Sequence, residues 1–273
     1  MPDELTPLGP GVLAWLADDP RHGRTNAGVV VDEDGLTEVD CLLTPGLAAP
    51  LAEALAGLGR PVRRAVYTSS HLEFVGGSSR FWTAARYGRS QTSALLDQPP
   101  PAAVARRLYP DDADEFGEAF GTRPVSHTVD TAAWLSPAVS VLPVAGEQRE
   151  NLVALVPAAD VLFAGAMATV GVTPNAFDGD PAAWADALGE LAELAGTVVP
   201  GIGPLGGPEE LLALQAYLYA CVDAAGDVAA IPAGPWDSWR DRHLDAVNVE
   251  RAAMLAAGDD GVPPSMLRLA GLG

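Results

Sequence analysis

The chain has 273 residues, 48% of them hydrophobic, and a formal net charge of −20 from 36 acidic and 16 basic residues. That apolar content is ample for a sizeable core, and so acidic a surface repels phosphate backbones, which argues against nucleic acid as the main partner. No apolar run reaches the length of a membrane span, and Met1–Pro10 lacks the basic start and apolar stretch of a secretory leader, so a cytoplasmic protein is expected.

Gly28–Val31 and Leu36–Leu43 are apolar, β-rich runs separated by Asp32-Glu33-Asp34-Gly35, the pattern of a hairpin. Thr44-Pro45-Gly46 follows as a helix start, with Thr44 as the cap and Pro45 at the first position. Leu47, Leu51, Leu55 and Leu58 share one face of that helix, which runs to about Gly57. Pro61 opens a strand over Val62–Tyr67, which leads into Thr68-Ser69-Ser70-His71-Leu72-Glu73-Phe74-Val75-Gly76-Gly77. Residues 99–123, with Pro99-Pro100-Pro101 and an acidic cluster from Asp111 to Glu118, read as a helical insertion with the character of a lid. Strands are expected at Val125–Val129, Ala138–Val144, Leu152–Val156 and Val161–Ala164. Asp180-Pro181 caps a helix over Ala182–Leu194, Val198-Val199 is a short strand, Glu209–Val222 is a helix, and the tail carries another around Asp241–Ala257.

The order hairpin, helix, strand and histidine-bearing loop ending in Gly-Gly resembles the metallo-β-lactamase superfamily, whose loop reads T-H-x-H-x-D-H-x-x-G. Thr68 to Gly77 keep that frame. Thr25–Val31 resembles the family's opening strand, and Val39-Asp40 its V-D-T-G segment. Ala145–Arg149 resembles P-G-H-T-x, Leu162–Ala166 resembles L-F-x-G-D, and Val199–Pro204 resembles V-P-G-H-G-P. The resemblance implies an α/β (α+β) fold, a four-layer αββα sandwich of two mixed sheets flanked by helices. It implies one domain over residues 1–273, its core about 10–225 and a helical extension about 226–273.

The seven metal-ligand positions of the resembled site fall on Ser69, His71, Glu73, Phe74, Glu147, Ala166 and Ile202. Phe74, Ala166 and Ile202 carry no metal-binding atom, so a binuclear zinc hydrolase is not expected. His71, Glu73 and Glu147 remain as a ligand set for one divalent metal ion, a hard, oxygen-rich group. Without metal, His71 is the candidate acid or base, with Glu73 and Glu147 as its partners or a second acid and Ser69 as a candidate nucleophile. Phe74, Ala166, Ile202 and Asp40 are the candidate substrate-binding residues, and desolvation by Phe74 and Ile202 is expected to push carboxyl pKa values up.

Three functions stay open at this point. One is a metal-independent, cofactor-free acid–base enzyme, a cyclase, lyase, isomerase or hydrolase acting on a small apolar metabolite, with a setting in specialised metabolism suggested by the resemblance. Another is a pseudoenzyme that binds a small molecule or a protein. The third is a mononuclear metallohydrolase. The partners expected are a small molecule and neither nucleic acid nor membrane, with homodimerisation open. The remaining features have plainer readings. Cys41 and Cys221 read as buried apolar residues. His127 reads as a hydrogen-bonded strand residue, and His22 and His243 as surface residues. Arg80, Arg86 and Arg89 read as a solvated face that could steer an anion, and Trp236 and Trp239 as packing for the tail.

Overall fold

The first two strands are ones that Pro7, Gly9 and Gly11 hide from a reading of the sequence. In the computed structural model, which describes residues 5–273, β1 (Thr6–Gly9) pairs antiparallel with β2 (Val12–Trp15). Met1–Glu4, the start of the stretch read for a leader, lie outside the described residues. β3 (Ala27–Val31) and β4 (Leu36–Val39) form the expected hairpin. The second strand stops at Val39 rather than running on to Leu43. Asp40 and Leu42 both adopt left-handed backbone, with φ of 64° and 62°, which no strand accommodates.

β5 (Val62–Val66), β6 (Ala85–Gly88) and β7 (His127–Thr128) join β4 in parallel, completing a seven-stranded mixed sheet in chain order. The second sheet has five strands. β8 (Ala133–Trp134), β9 (Ser140–Val144), β10 (Asn151–Val156) and β11 (Val161–Thr169) run antiparallel, and β12 (Thr197–Ile202) lies parallel to β11. Val30, Val39 and Val66 of the first sheet meet Val141, Leu152, Phe163 and Val199 of the second in an apolar layer between them.

Helices cover both outer faces. α1 (Pro45–Gly57) buries Ala48, Leu51 and Leu55 against the first sheet, and its cap Thr44 accepts from Leu47 N at 3.2 Å. α5 (Pro181–Leu191), capped by Asp180, and α6 (Pro208–Asp223) bury Trp184, Leu188, Leu214 and Leu218 against the second. The result is a four-layer αββα sandwich of two mixed sheets. Cys41 and Cys221 are both buried.

The remaining helices frame one end of the sandwich. They are α2 (Leu72–Val75), α3 (Ser90–Leu96), α4 (Ala102–Leu108), α7 (Asp245–Ala256) and α8 (Pro264–Ala270). α4 belongs to the expected insertion and packs on α8 of the tail. Arg107 binds the two together by donating to Leu269 O at 2.9 Å. The tail is anchored from the other side by Trp236 and Trp239, which pack on Tyr217 of α6. No described helix is long and apolar enough to cross a membrane.

The acidic run in the insertion is tied to the rest of the fold at three residues. Arg24 pairs with Asp112 and Arg21 with Asp111, while Glu115 accepts from Thr44 Oγ1 and Gly46 N. Arg80, Arg86 and Arg89 are likewise engaged: Arg80 donates to Pro45 O, Arg86 to Pro124 O, and Arg89 pairs with Asp130.

Candidate functional site

The loop after β5 is held by buried hydrogen bonds at its start and by a close backbone approach at its end. Asp40, at the turn that ends β4, accepts from Thr68 N at 2.9 Å and from Thr68 Oγ1, which in turn accepts from Ala166 N at 3.0 Å. Burial pushes the Asp40 carboxyl up to about 8 despite those donors. Gly76 and Gly77 pass so close to the backbone of Leu43 and Cys41 that a Cβ on either would overlap a carbonyl oxygen. The Gly-Gly that ends the loop is therefore a packing requirement. On the facing side Asn26 donates to Pro200 O and Gly203 O at 2.9 and 2.8 Å and holds the turn that carries Ile202.

These elements open into a cavity of about 610 Å³ at one end of the sandwich. Its floor holds His71, Glu73, Glu147, Gln148 and Asp178, together with Phe74, Ala166 and Ile202. Its walls are mostly apolar and come from α3, α4 and α8, including Leu96, Val104, Leu108, Met266, Leu267 and Leu269. The insertion and the tail thus roof the floor between them.

His71 is held on every side. Its Nδ1 forms a tight ion pair with Glu147 Oε1, and its Nε2 lies 3.1 Å from Asp178 Oδ2. Phe177 stacks on the ring at 5.0 Å between centroids. Glu147 also accepts from Asn151 Nδ2 at 2.7 Å, and Asp178 from Gln148 Nε2 at 3.0 Å. Burial alone would lower the His71 pKa. The Asp178 and Glu147 charges outweigh it and hold the ring well above its ordinary value. Asp178 is raised by burial and lowered more by His71, ending below the usual carboxylate range.

Glu73 does not pair with His71, as the sequence suggests it should. The two stand at positions i and i+2 across the start of α2, where side chains diverge. Glu73 turns instead to Gly23 N and to His22 Nδ1, 3.5 Å away, and His22 Nε2 reaches Thr173 O at 2.9 Å. His22, expected at the surface, is thereby part of the floor. Burial lowers the His22 ring, but Glu73 and the Thr173 carbonyl more than offset that and push it up to about 9. The expected upward shift of Glu73 is reversed: burial raises its carboxyl, and His22 and Gly23 N draw it below its ordinary value.

Of the remaining candidates, Phe74, Ala166 and Ile202 line the cavity and Ser69 and Asp40 do not. Ser69 is fully buried, and its hydroxyl donates to Gln148 Oε1 at 2.9 Å, with no imidazole as partner. His127 is exposed on β7, and stacks on Tyr87. His243 is exposed at the cavity's edge. Asp178 and His22 are the floor residues that no motif segment contains, and Gln148 sits inside Ala145–Arg149 with no role assigned to it there.

Solved structures give this arrangement its frame. The metallo-β-lactamase FIM-1 from Pseudomonas aeruginosa, in its mono-zinc form, matches 85% of this chain over 98% of its own at 22% identity, with a TM-score of 0.61. A metallo-β-lactamase from Hirschia baltica matches 80% over 98% of its own at 22% identity and a TM-score of 0.60. VMB-1 matches 80% over 96% of its own at 19% identity and 0.64. This chain has the metallo-β-lactamase fold. No family model matches its sequence.

Within that fold the donor set does not fit the metals that the resemblance implies. Phe74, Ala166 and Ile202 offer no ligand atom, and Ser69 is committed to Gln148. His71, the one imidazole kept in the motif, has a carboxylate on each ring nitrogen, and Glu73 faces a different histidine. A metal needs a free imidazole lone pair. Among the described residues no group of three or more His, Cys, Asp or Glu has the geometry to hold an ion.

Proposed function

We propose that this metallo-β-lactamase fold serves as a binding protein for a small, mostly apolar molecule, with His71 acting as a structural cation in place of a metal. The observation that carries this reading is the pair of carboxylates on His71. With Glu147 on Nδ1 and Asp178 on Nε2, the ring keeps no lone pair for a general base and no free N–H to offer a substrate. What remains open to a ligand is the cavity of about 610 Å³, a volume suited to a drug-sized molecule, with apolar walls and a few polar groups at one end.

Acid–base catalysis is the second reading, and one observation favours it. Glu73 lines the cavity beside the His22 imidazolium, and its Oε2 accepts no hydrogen bond from the described residues. A carboxylate so placed can take a proton from a bound molecule, and hold it next to a cation.

Titration with the neutral fluorescent probe N-phenyl-1-naphthylamine tests the binding reading. One saturable site is expected, lost in Leu267→Trp, which fills the cavity without touching the floor. Binding unchanged in Leu267→Trp would place the ligand elsewhere and overturn the reading. Turnover of a panel of esters and lactones that survives exhaustive chelation and disappears in Glu73→Gln would favour the catalytic alternative.

A further inference from the structure

The chemistry of the floor specifies one end of the ligand. Three carboxylates, Glu73, Glu147 and Asp178, face two imidazoles, His22 and His71. Even with both rings protonated the floor carries a net negative charge. Three arginines line the same cavity, and two of them are neutralised by carboxylates. Arg21 and Arg24 pair with Asp111 and Asp112, and Arg107 donates to the Leu269 carbonyl. Asp241 adds another carboxylate to the lining.

The free hydrogen-bonding capacity points the same way. Both His71 nitrogens face carboxylates, and Gln148 spends its amide on Asp178, His71 Nε2, Ser69 and Ser70. On the floor the unmet groups are acceptors. Glu73 is only 7% exposed and lines the cavity, with Oε2 unpartnered among the described residues. Asp178 Oδ1 is buried with no partner at all among them. Tyr109 contributes a hydroxyl that can donate or accept.

A desolvated carboxylate without a donor is costly, and a ligand that supplies a charged donor removes that cost while gaining a short, strong bond. At the floor a carboxylate or phosphate head would meet acceptors and like charge, and would be rejected there. Resting on the binding reading above, we propose that the cavity selects a molecule with an apolar body ending in a protonated amine, seated on Glu73 Oε2. The apolar body would lie along the wall made by Val104, Leu108 and Leu267.

Calorimetric titration with octylamine, octanol and octanoate at pH 7 tests this. All three share a chain and differ only in the head. Octylamine should bind at least tenfold more tightly than octanoate, with octanol between them. Glu73→Gln should cut octylamine affinity at least fivefold and leave octanol unchanged. Asp178→Asn should weaken the amine preference in the same direction, and serves if Glu73→Gln fails to fold. Octanoate or octanol binding as well as octylamine would overturn the amine inference and leave the pocket reading standing. No binding by any of the three would overturn both.

Discussion

Replacing His71 with alanine separates a structural cation from a catalytic one. The substitution leaves Glu147, 4% exposed, and Asp178 facing each other across the space the imidazolium filled. Removing one partner of a buried ion pair costs about 3–5 kcal/mol. The chain can limit that cost by protonating one carboxyl. Taking a carboxyl of ordinary pKa near 4.3 to its neutral form at pH 7 costs roughly 1.36 kcal/mol per pH unit, or about 3.7 kcal/mol. Asp178 is about a third exposed on its side chain, and water reaching it trims the loss further. The expected destabilisation is therefore about 3 kcal/mol at pH 7, falling to about 1 kcal/mol at pH 5, where protonation is cheap. Urea unfolding of wild type and His71→Ala at pH 5, 6, 7 and 8 reads both the size and the slope. A loss below about 1 kcal/mol at pH 7, or a loss that does not shrink toward pH 5, would show that no buried charge was uncovered.

Other outcomes follow from the same geometry. Wild-type stability should peak between about pH 4.5 and 6.5. The raised pKa values of His22 and His71 contribute in full below their unfolded value and lose that contribution as pH rises, for His22 up to about 9. The depressed Glu73 and Asp178 contribute above their unfolded values and lose it as pH falls. Thermal melts across pH 4–10 check this, and a maximum above pH 8 would contradict it. Glu38→Met should stabilise the protein by about 1–3 kcal/mol at pH 7. Glu38 is fully buried between Val29 and Ala65 with both oxygens unpartnered among the described residues, and burial holds its carboxyl well above the usual range. The gain should grow with pH in chemical denaturation, and a loss of stability would mean that Glu38 has a partner. Asn26→Ala removes donors to Pro200 O and Gly203 O and the acceptor for Ala17 N, and should cost about 3 kcal/mol in the same assay. A cost under 1 kcal/mol would mean that the Ile202 turn holds itself.

The frame of this site was legible because it depends on local backbone. Thr44-Pro45 writes a helix start, Asp180-Pro181 another, and Gly76-Gly77 marks a close backbone approach whatever the neighbouring side chains are. The fold's ordered segments survive for the same reason, even where Phe74, Ala166 and Ile202 stand at ligand positions. The partners of the surviving polar residues were not legible. Asp178 lies 107 residues from His71 and belongs to no segment of the motif, and His22 lies upstream of the opening strand. Proximity in sequence favoured the His71–Glu73 couple, and the helical turn between them prevents it. The pKa directions went astray with the partners. Burial was foreseen for Glu73, but the imidazolium that overrides it was not.

In the structural role proposed above, His71 stands as an imidazolium between two carboxylates, at a position where the resemblance places a metal ligand. With four histidines in the chain, ¹⁵N-histidine labelling gives a tractable spectrum. The direct measurement is the long-range ¹H–¹⁵N spectrum of the His71 ring at pH 7, before and after one equivalent of zinc. Both ring nitrogens are predicted to carry protons and to keep their shifts when zinc is added. A deprotonated ring nitrogen that shifts stoichiometrically with zinc would mean that His71 is a metal ligand, and would contradict the account.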